Sequence, residues 1–250
     1  MKFIVVKAKY IAAIAVAALI IPVMLFSINK TAEVFNVNGR EIPIYCVERD
    51  DNKIAVTFDC AWNDDDIDSI LDTLDEHNCK ATFFVLGSWA EKYSESLKKI
   101  KNRGHEIGNH SYNHADYTKL GADEICSDLK KCDDIVKNIV GEAPVLMRAP
   151  SGGYNNTVVT AAESIGKTYI QWSVDGIDYG DADAESIFRR STSKTKAGDI
   201  ILLHNGTANT AKILPEILKV LGENYEFVTV SELIYSDNFV IDNNGCQKRK

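Results

Sequence analysis

The sequence predicts an α/β fold, a distorted and partly open (β/α) barrel of about seven parallel strands preceded by one N-terminal transmembrane helix. Three observations carry this reading. From residue 52 to residue 235 short apolar runs alternate with amphipathic stretches, the pattern of β-α units around a largely parallel sheet. Asp, His and Arg recur at or just past the ends of those runs, where a parallel barrel builds its sites. No charged residue lies between Tyr10 and Asn29. A doubly wound open sheet is the competing arrangement.

In chain order, residues 1–9 are a cytoplasmic start carrying Lys2, Lys7 and Lys9. Residues 10–29 follow as the anchor, apolar from Ile11 to Ile28 except for Pro22 and Ser27, about the span of a bilayer's hydrocarbon core. The preceding lysines orient it, so the chain is expected to be single-pass with everything after Lys30 extracytoplasmic. A cleaved signal peptide, and hence a secreted protein, has the same polarity, but no clear small-x-small site follows Phe26. Residues 30–51 read as a polar stalk.

Strands are predicted at 53–58, 80–86, 106–109, 145–148, 168–172, 199–203 and 226–229. Helices are predicted at 65–77, 88–103, 121–140, 155–165, 183–195, 208–223 and 230–235. These units make one domain, 52–235. The tail, 236–250, with Asn-Asn-Gly and Lys-Arg-Lys, reads as loose.

With 250 residues, 45% of them apolar, the chain can bury a sizeable core without covalent staples. Its net charge of −8 excludes a broad basic face, and with it nucleic acid as a partner. The six cysteines show no compact framework and are expected to be mostly free thiols.

The chemistry-bearing residues Asp59, His110, Arg148, Asp175 and His204 stand at the carboxyl ends of successive predicted strands. Thr57-Phe58-Asp59, His110-Ser-Tyr-Asn-His114, Arg148-Ala-Pro150-Ser151-Gly152, Trp172-Ser-Val-Asp175-Gly-Ile-Asp178-Tyr179 and Leu202-Leu203-His204 follow one another in order. In that order and spacing, over roughly residues 52–235, the chain resembles the polysaccharide deacetylase family, the NodB-homology carbohydrate esterases. The resemblance implies metal-dependent removal of acetyl groups from N-acetylated sugars by a protein that often faces the cell wall.

It also implies roles for the matching residues. His110 and His114 would bind a divalent metal, zinc by preference, since neutral imidazole suits such an ion. Asp59 would take a proton from the attacking water and His204 would protonate the departing amine. Asp175 would orient His204, and Arg148 would hold Asp59 as a carboxylate through a two-pronged hydrogen bond. Without the resemblance, Arg148 reads more often as a surface or salt-bridge residue and Asp175 as a turn former beside Gly176.

Two positions depart from the family pattern. Cys60 stands where relatives carry a second Asp, the third metal ligand. It is expected either to complete a Cys-His-His set as a thiolate or to be a buried thiol that leaves the metal site weak, with an acidic residue of Asp64-Asp65-Asp66 as a substitute donor. Ser151 stands where Tyr is common, as in relatives linked to spore formation. Its backbone N–H would still help hold an oxyanion. Tyr179 replaces a usual Trp. Trp62, Tyr154 and Tyr179 are the expected aromatic substrate contacts, whereas Trp172 reads as core.

The resemblance thus points to a membrane-anchored deacetylase acting on N-acetylglucosamine-type sugars of a cell-wall polymer, peptidoglycan before chitin. The alternatives are a carbohydrate-binding protein that lost turnover with the missing Asp, and a small-amide or ester hydrolase on the same scaffold.

Overall fold

A computed structural model describes residues 39–250. The predicted anchor at 10–29 and the basic residues before it lie outside the described residues. Among the described residues no helix is long and apolar enough to cross a membrane.

The fold is organised around β2 (Lys53–Cys60), buried from Ile54 onward. Its alternation assigns two faces. Ile54, Val56, Phe58 and Cys60 join the outer layer with Ile67, Ile70, Leu71 and Leu74 of α1 (Ile67–Glu76). Ala55 belongs instead to the inner cluster with Phe84, Leu146, Ile170 and Ile200. Thr57 and Asp59 share that inner parity, and both bond to the fully buried Arg148.

β3 (Thr82–Val85) flanks β2 on one side and β8 (Ile200–His204) on the other, both parallel to it. β4 (Glu106–Asn109), β5 (Leu146–Met147), β6 (Thr168–Tyr169) and β7 (Val174–Asp175) complete the order β6-β5-β4-β3-β2-β8-β7, and β9 (Glu226–Phe227) pairs with the start of β2. Every pair in this sheet is parallel. The sheet curls without closing, because β6 and β7 do not pair. The expected partly open barrel is the one found; the strand predicted at 226–229 forms as β9, and β7 is the strand added to the seven expected.

The predicted helices form at 67–76, 122–140, 156–164, 184–192, 210–222 and 230–233. The stretch expected as one helix at 88–103 is two, α2 (Gly87–Lys92) and α3 (Ser94–Asn102), separated by Tyr93 at φ −120°, ψ 46°. Helix ends follow sequence signals. Asn155 accepts the Val158 N–H at 3.1 Å to start the helix at 156–164, and Gly141 ends the helix at 122–140 in the left-handed region.

Two segments differ from expectation. The last part of the stalk is not a free spacer, because residues 44–47 cross the open side of the barrel. Ile44 accepts from Gln171 N–H and donates to Tyr169 O, and Val47 N–H donates to Gly198 O at 2.9 Å. Gly198 permits this approach, since a Cβ there would lie 1.6 Å from the Val47 carbonyl oxygen.

Nor is the tail loose. β10 (Phe239–Ile241) and β11 (Cys246–Arg249) form an antiparallel pair, and β11 runs parallel to β1 (Cys46–Val47). The Asn-Asn-Gly that reads as looseness is the turn between them. Asp242 Oδ1 accepts the N–H groups of Asn244 and Cys246, and Gly245 takes φ +78°. Phe239 and Ile241 then pack with Ile44, Val47 and Leu233 in the inner cluster, which gives the tail an apolar reason to stay.

Candidate active site

Register brings the first two site residues together. Asp59 and His204 are direct partners across β2 and β8, at the carboxyl ends of both strands. His110 follows β4 and Arg148 follows β5, the neighbouring pair whose register joins Asn109 to Met147. Asp59, His110, His114, Ser151, Asp175 and His204 help to line one cavity of about 380 Å³, while Arg148 is fully buried and bonded to Asp59. Chemistry gathered on the loops and strand ends of one barrel face is what the fold favours.

Arg148 Nη1 donates to Asp59 Oδ1 at 2.8 Å and to Thr57 Oγ1 at 2.9 Å, while Nη2 donates to the Gln171 carbonyl at 3.1 Å. The grip on Asp59 is therefore one-pronged, not the two-pronged bond expected. Burial would raise the Asp59 carboxyl, but the charge of Arg148, helped by His110 and His204, outweighs it and holds Asp59 below the usual carboxylate range. Its second oxygen, Oδ2, lies 3.6 Å from His110 Nε2.

The loop 109–114 is shaped by side chains that sequence reasoning passed over. Ser111 and His114 sit at φ +77° and +60°, strained for residues with a Cβ. Asn109 Oδ1 accepts Ser111 N–H, Ser111 Oγ accepts His114 N–H, and Asp128 accepts both Tyr112 N–H and the Tyr117 hydroxyl. Asn109 in turn donates to the Leu129 carbonyl and to Asp133. The only sequence signal was their position, directly before, between or one helix beyond the paired His.

His204 is oriented by Asp178, not by Asp175. Asp178 Oδ1 lies 2.7 Å from His204 Nδ1, and its Oδ2 accepts the His204 backbone N–H at 2.7 Å and the Thr210 hydroxyl. Burial works against a charged ring here, yet the Asp178 hydrogen bond and the Asp59 charge prevail and raise His204 above its ordinary value. Asp175 does line the cavity, but its Oδ1 accepts the Ile177 N–H at 2.8 Å, the turn-forming role.

Trp62 and Tyr179 stand on two sides of His204, with ring centroids 5.4 and 5.5 Å away. They are 48% and 44% exposed, and both line the cavity. Trp172, expected in the core, also lines the cavity, and a Cβ on Gly152 would lie 2.7 Å from its ring. Tyr154 is not at the site. Its hydroxyl accepts from Arg40, and its ring packs edge-on against Tyr45 and Tyr169, so it anchors the incoming arm.

Cys60 also departs from the expected ligand set. The residue is fully buried in the outer cluster with Phe58, Leu86 and Trp89 and does not line the cavity. Burial, with Asp59 and Asp66 nearby, pushes its thiol well above the ordinary value, as for a packed core thiol. None of the acidic run lines the cavity. Asp64 accepts from Ser96 Oγ and Asp66 from Gly206 N–H, which ties loops together.

Fold and site together define a curled (β/α) barrel with paired carboxylate–arginine and histidine–carboxylate groups at its mouth, the hydrolytic arrangement of such barrels. The polysaccharide deacetylase family profile matches residues 47–170. Peptidoglycan-N-acetylglucosamine deacetylase PgdA of Listeria monocytogenes is 36% identical over 208 residues, covering 83% of this chain and 43% of the relative. A peptidoglycan-N-acetylglucosamine deacetylase of Bacillus cereus is 34% identical over 197 residues, covering 75% of this chain and 91% of the relative. Among solved structures, a Bacillus anthracis protein described as a CE4 family pseudoenzyme is 29% identical with a TM-score of 0.73, covering 83% of this chain and 70% of that one. The chain belongs to the polysaccharide deacetylase family. It spans less than half the length of the Listeria relative.

Membership in this family implies a divalent metal, and part of the donor set fits one. His110 Nδ1 lies 2.9 Å from the Arg148 carbonyl oxygen, which fixes the Nδ1–H tautomer and leaves the Nε2 lone pair facing Asp59. Burial, opposed by Asp59, takes its pKa down to about 4, so the ring is a neutral ligand at pH 7. The His114 ring lies edge-on to it, centroids 5.3 Å apart. Among the described residues no group of three His, Cys, Asp or Glu side chains forms a ready metal cage. The imidazole pair fits the ion; Cys60 does not.

Proposed function

We propose that this chain is a membrane-anchored deacetylase that hydrolyses the acetamide of N-acetylglucosamine-type sugars in cell-wall peptidoglycan, releasing acetate. The observation that carries the reading is the pairing of Asp59–Arg148 with His204–Asp178 on adjacent strand ends across one cavity. Family membership and the names of the two peptidoglycan deacetylases support the substrate. The apolar stretch 10–29, led by three lysines, supports an extracytoplasmic domain held beside the wall.

The residues divide the work. Asp59, kept ionised by Arg148, accepts a proton as water oxygen bonds to the acetyl carbon. The Ser151 N–H, at the start of a 3-10 turn where such donors lack intrahelical partners, is offered to the developing oxyanion. His204, kept charged by Asp178, gives its proton to the sugar nitrogen as the carbon–nitrogen bond breaks. The free amine and acetate leave. Trp62 and Tyr179 supply apolar faces for a sugar ring beside that proton donor. His110 and His114 would hold the metal, zinc by the preference of imidazole. When bound, it supplies Lewis-acid polarisation of the carbonyl and a more acidic water.

A second reading has its own support. Cys60 does not provide a third ligand, and the Bacillus anthracis relative of the same fold is described as a pseudoenzyme. That reading is a sugar-binding protein without turnover. One experiment separates them: acetate release from N-acetylated peptidoglycan strands by the zinc-supplied full chain and by Asp59→Ala. Release by the wild type that falls to background in the variant supports the enzyme. Strand binding of equal affinity in both, with no acetate from either, overturns it in favour of the binder. Turnover of short acetylated amides alone would favour a small-amide hydrolase.

A further inference from the structure

Cys46 and Cys246 are register partners in the parallel pair of β1 and β11. Adjacent strands lie about 4.8 Å apart and paired residues project from the same face of the sheet. That separation falls inside the roughly 4.4–6.8 Å Cα range a disulfide spans. Both cysteines are partly exposed, and both line a groove of about 380 Å³ with Glu48, Lys196, Asp242 and Lys248. The thiols already influence each other. Burial, the Cys246 thiol and Asp199 together push Cys46 up to about 12.

The other four cysteines offer no comparable pair. Cys60, Cys79 and Cys132 are buried, and Cys126 lies against the Ala161 carbonyl and the Ser164 hydroxyl. The position of the 46–246 pair in the fold is also particular. β1 belongs to the arm that enters the barrel, β11 is the last strand, and both are short. Their contact rests on few backbone bonds, among them Tyr45 N–H to Gly245 O and Glu48 N–H to Gln247 O, each 2.8 Å.

We propose that Cys46 and Cys246 are a disulfide site, closed by a disulfide-bearing oxidant, that locks the C-terminal strand to the arm entering the barrel. One thiol attacks the oxidant and forms a mixed disulfide, releasing one reduced thiol of the oxidant. The second cysteine attacks the mixed disulfide and releases the other. Two S–H bonds are lost and one S–S bond forms; the two electrons and two protons end on the oxidant as two thiols. The bond encloses a loop of about 200 residues (246 − 46), and long loops gain most from closure in the chain-entropy account.

The test uses the full chain incubated with oxidised glutathione, followed by thiol counting in denaturant, non-reducing peptide mass spectrometry and thermal unfolding. The expected result is a fall from six thiols to four, a single cross-linked peptide joining 46 to 246, and a Tm that drops by roughly 5–15 °C when the bond is reduced. In Cys246→Ser, Cys46 should carry glutathione instead, which shows that the oxidant reaches the site. Six thiols after oxidation overturn the proposal. So do glutathione retained on both wild-type cysteines, a bond between another pair, or a Tm indifferent to reduction.

Discussion

Asp178 grips His204 with both carboxylate oxygens, Oδ1 against ring Nδ1 and Oδ2 against the backbone N–H, each at 2.7 Å. One side chain thereby fixes the tautomer, the ring plane and the strand end that carries it. The Asp178 side chain is itself fully buried and its Oδ2 also accepts the Thr210 hydroxyl, so the grip cannot swing away into water.

Asp178→Asn should therefore lower deacetylation by about 10²–10⁴-fold, the scale of general acid catalysis, and move the pH profile. His204 must be protonated to act, and its folded value is raised, so activity is lost as pH climbs through that value. Removing the Asp178 charge removes the largest raising influence. The alkaline limb of kcat then shifts to lower pH, while Asp175→Asn, which alters a turn instead, leaves the limb in place. A pH–rate series on the two variants checks this. An unshifted limb in Asp178→Asn removes Asp178 from its assigned role.

Arg148 is wholly buried, with its guanidinium 4.1 Å from the Phe84 ring centroid and one prong on Asp59. Arg148→Met leaves the Asp59 carboxylate buried without its main partner, a defect of about 3–5 kcal/mol. Urea unfolding should show that loss, and Arg148→Met combined with Asp59→Asn should recover part of it, because the orphaned charge is gone. A double variant no more stable than the single one would mean that packing around Arg148, not its charge, supports the site.

Much of this was legible in the sequence because parallel-barrel strands are apolar runs whose ends carry the chemistry. The strand at 106–109, the positions of Asp59, His110 and His204 at the mouth and of Arg148 just past β5 follow from that rule. β2 runs two residues beyond its predicted end at Phe58, because Asp59, which reads as a strand terminator, is neutralised inside the barrel by Arg148. β7 was missed because two residues carry no periodicity. The choice between Asp175 and Asp178 turned on geometry that residue types do not encode. Asp175 caps the turn, Ile177 enters the left-handed region at φ +46°, and that reversal carries Asp178 under His204. Cys60 turned on packing, since relatives with Asp there use both neighbours at the site, whereas this thiol is buried in the outer cluster away from the cavity.

That burial yields a metal-binding prediction. Zinc titration of the full chain should give the same affinity, within about twofold, for wild type and Cys60→Ser, because the thiol lies outside the cavity. His110→Ala should lose binding by about 10–100-fold or more, since a ligand weighs at least as much as the outer partners that orient it. Calorimetry reads both directly. Strong weakening in Cys60→Ser would return the thiol to the ligand set and require the strand end to rotate on loading.

Trp62 and Tyr179 give the last expectation. Each presents an exposed ring within 5.5 Å of His204, on loops that follow β2 and β7. Stacking against a sugar face contributes to binding of the polymer, whereas the proton chemistry belongs to His204 and Asp59. Trp62→Ala and Tyr179→Ala should thus raise KM for peptidoglycan strands by about fivefold each, consistent with roughly 1 kcal/mol per aromatic contact, and leave kcat within a few-fold. Hydrolysis of a short acetylated substrate that cannot reach both rings should change far less. Equal losses on long and short substrates would instead mean that the two aromatics position His204, and the His204 pH limb would then move with them.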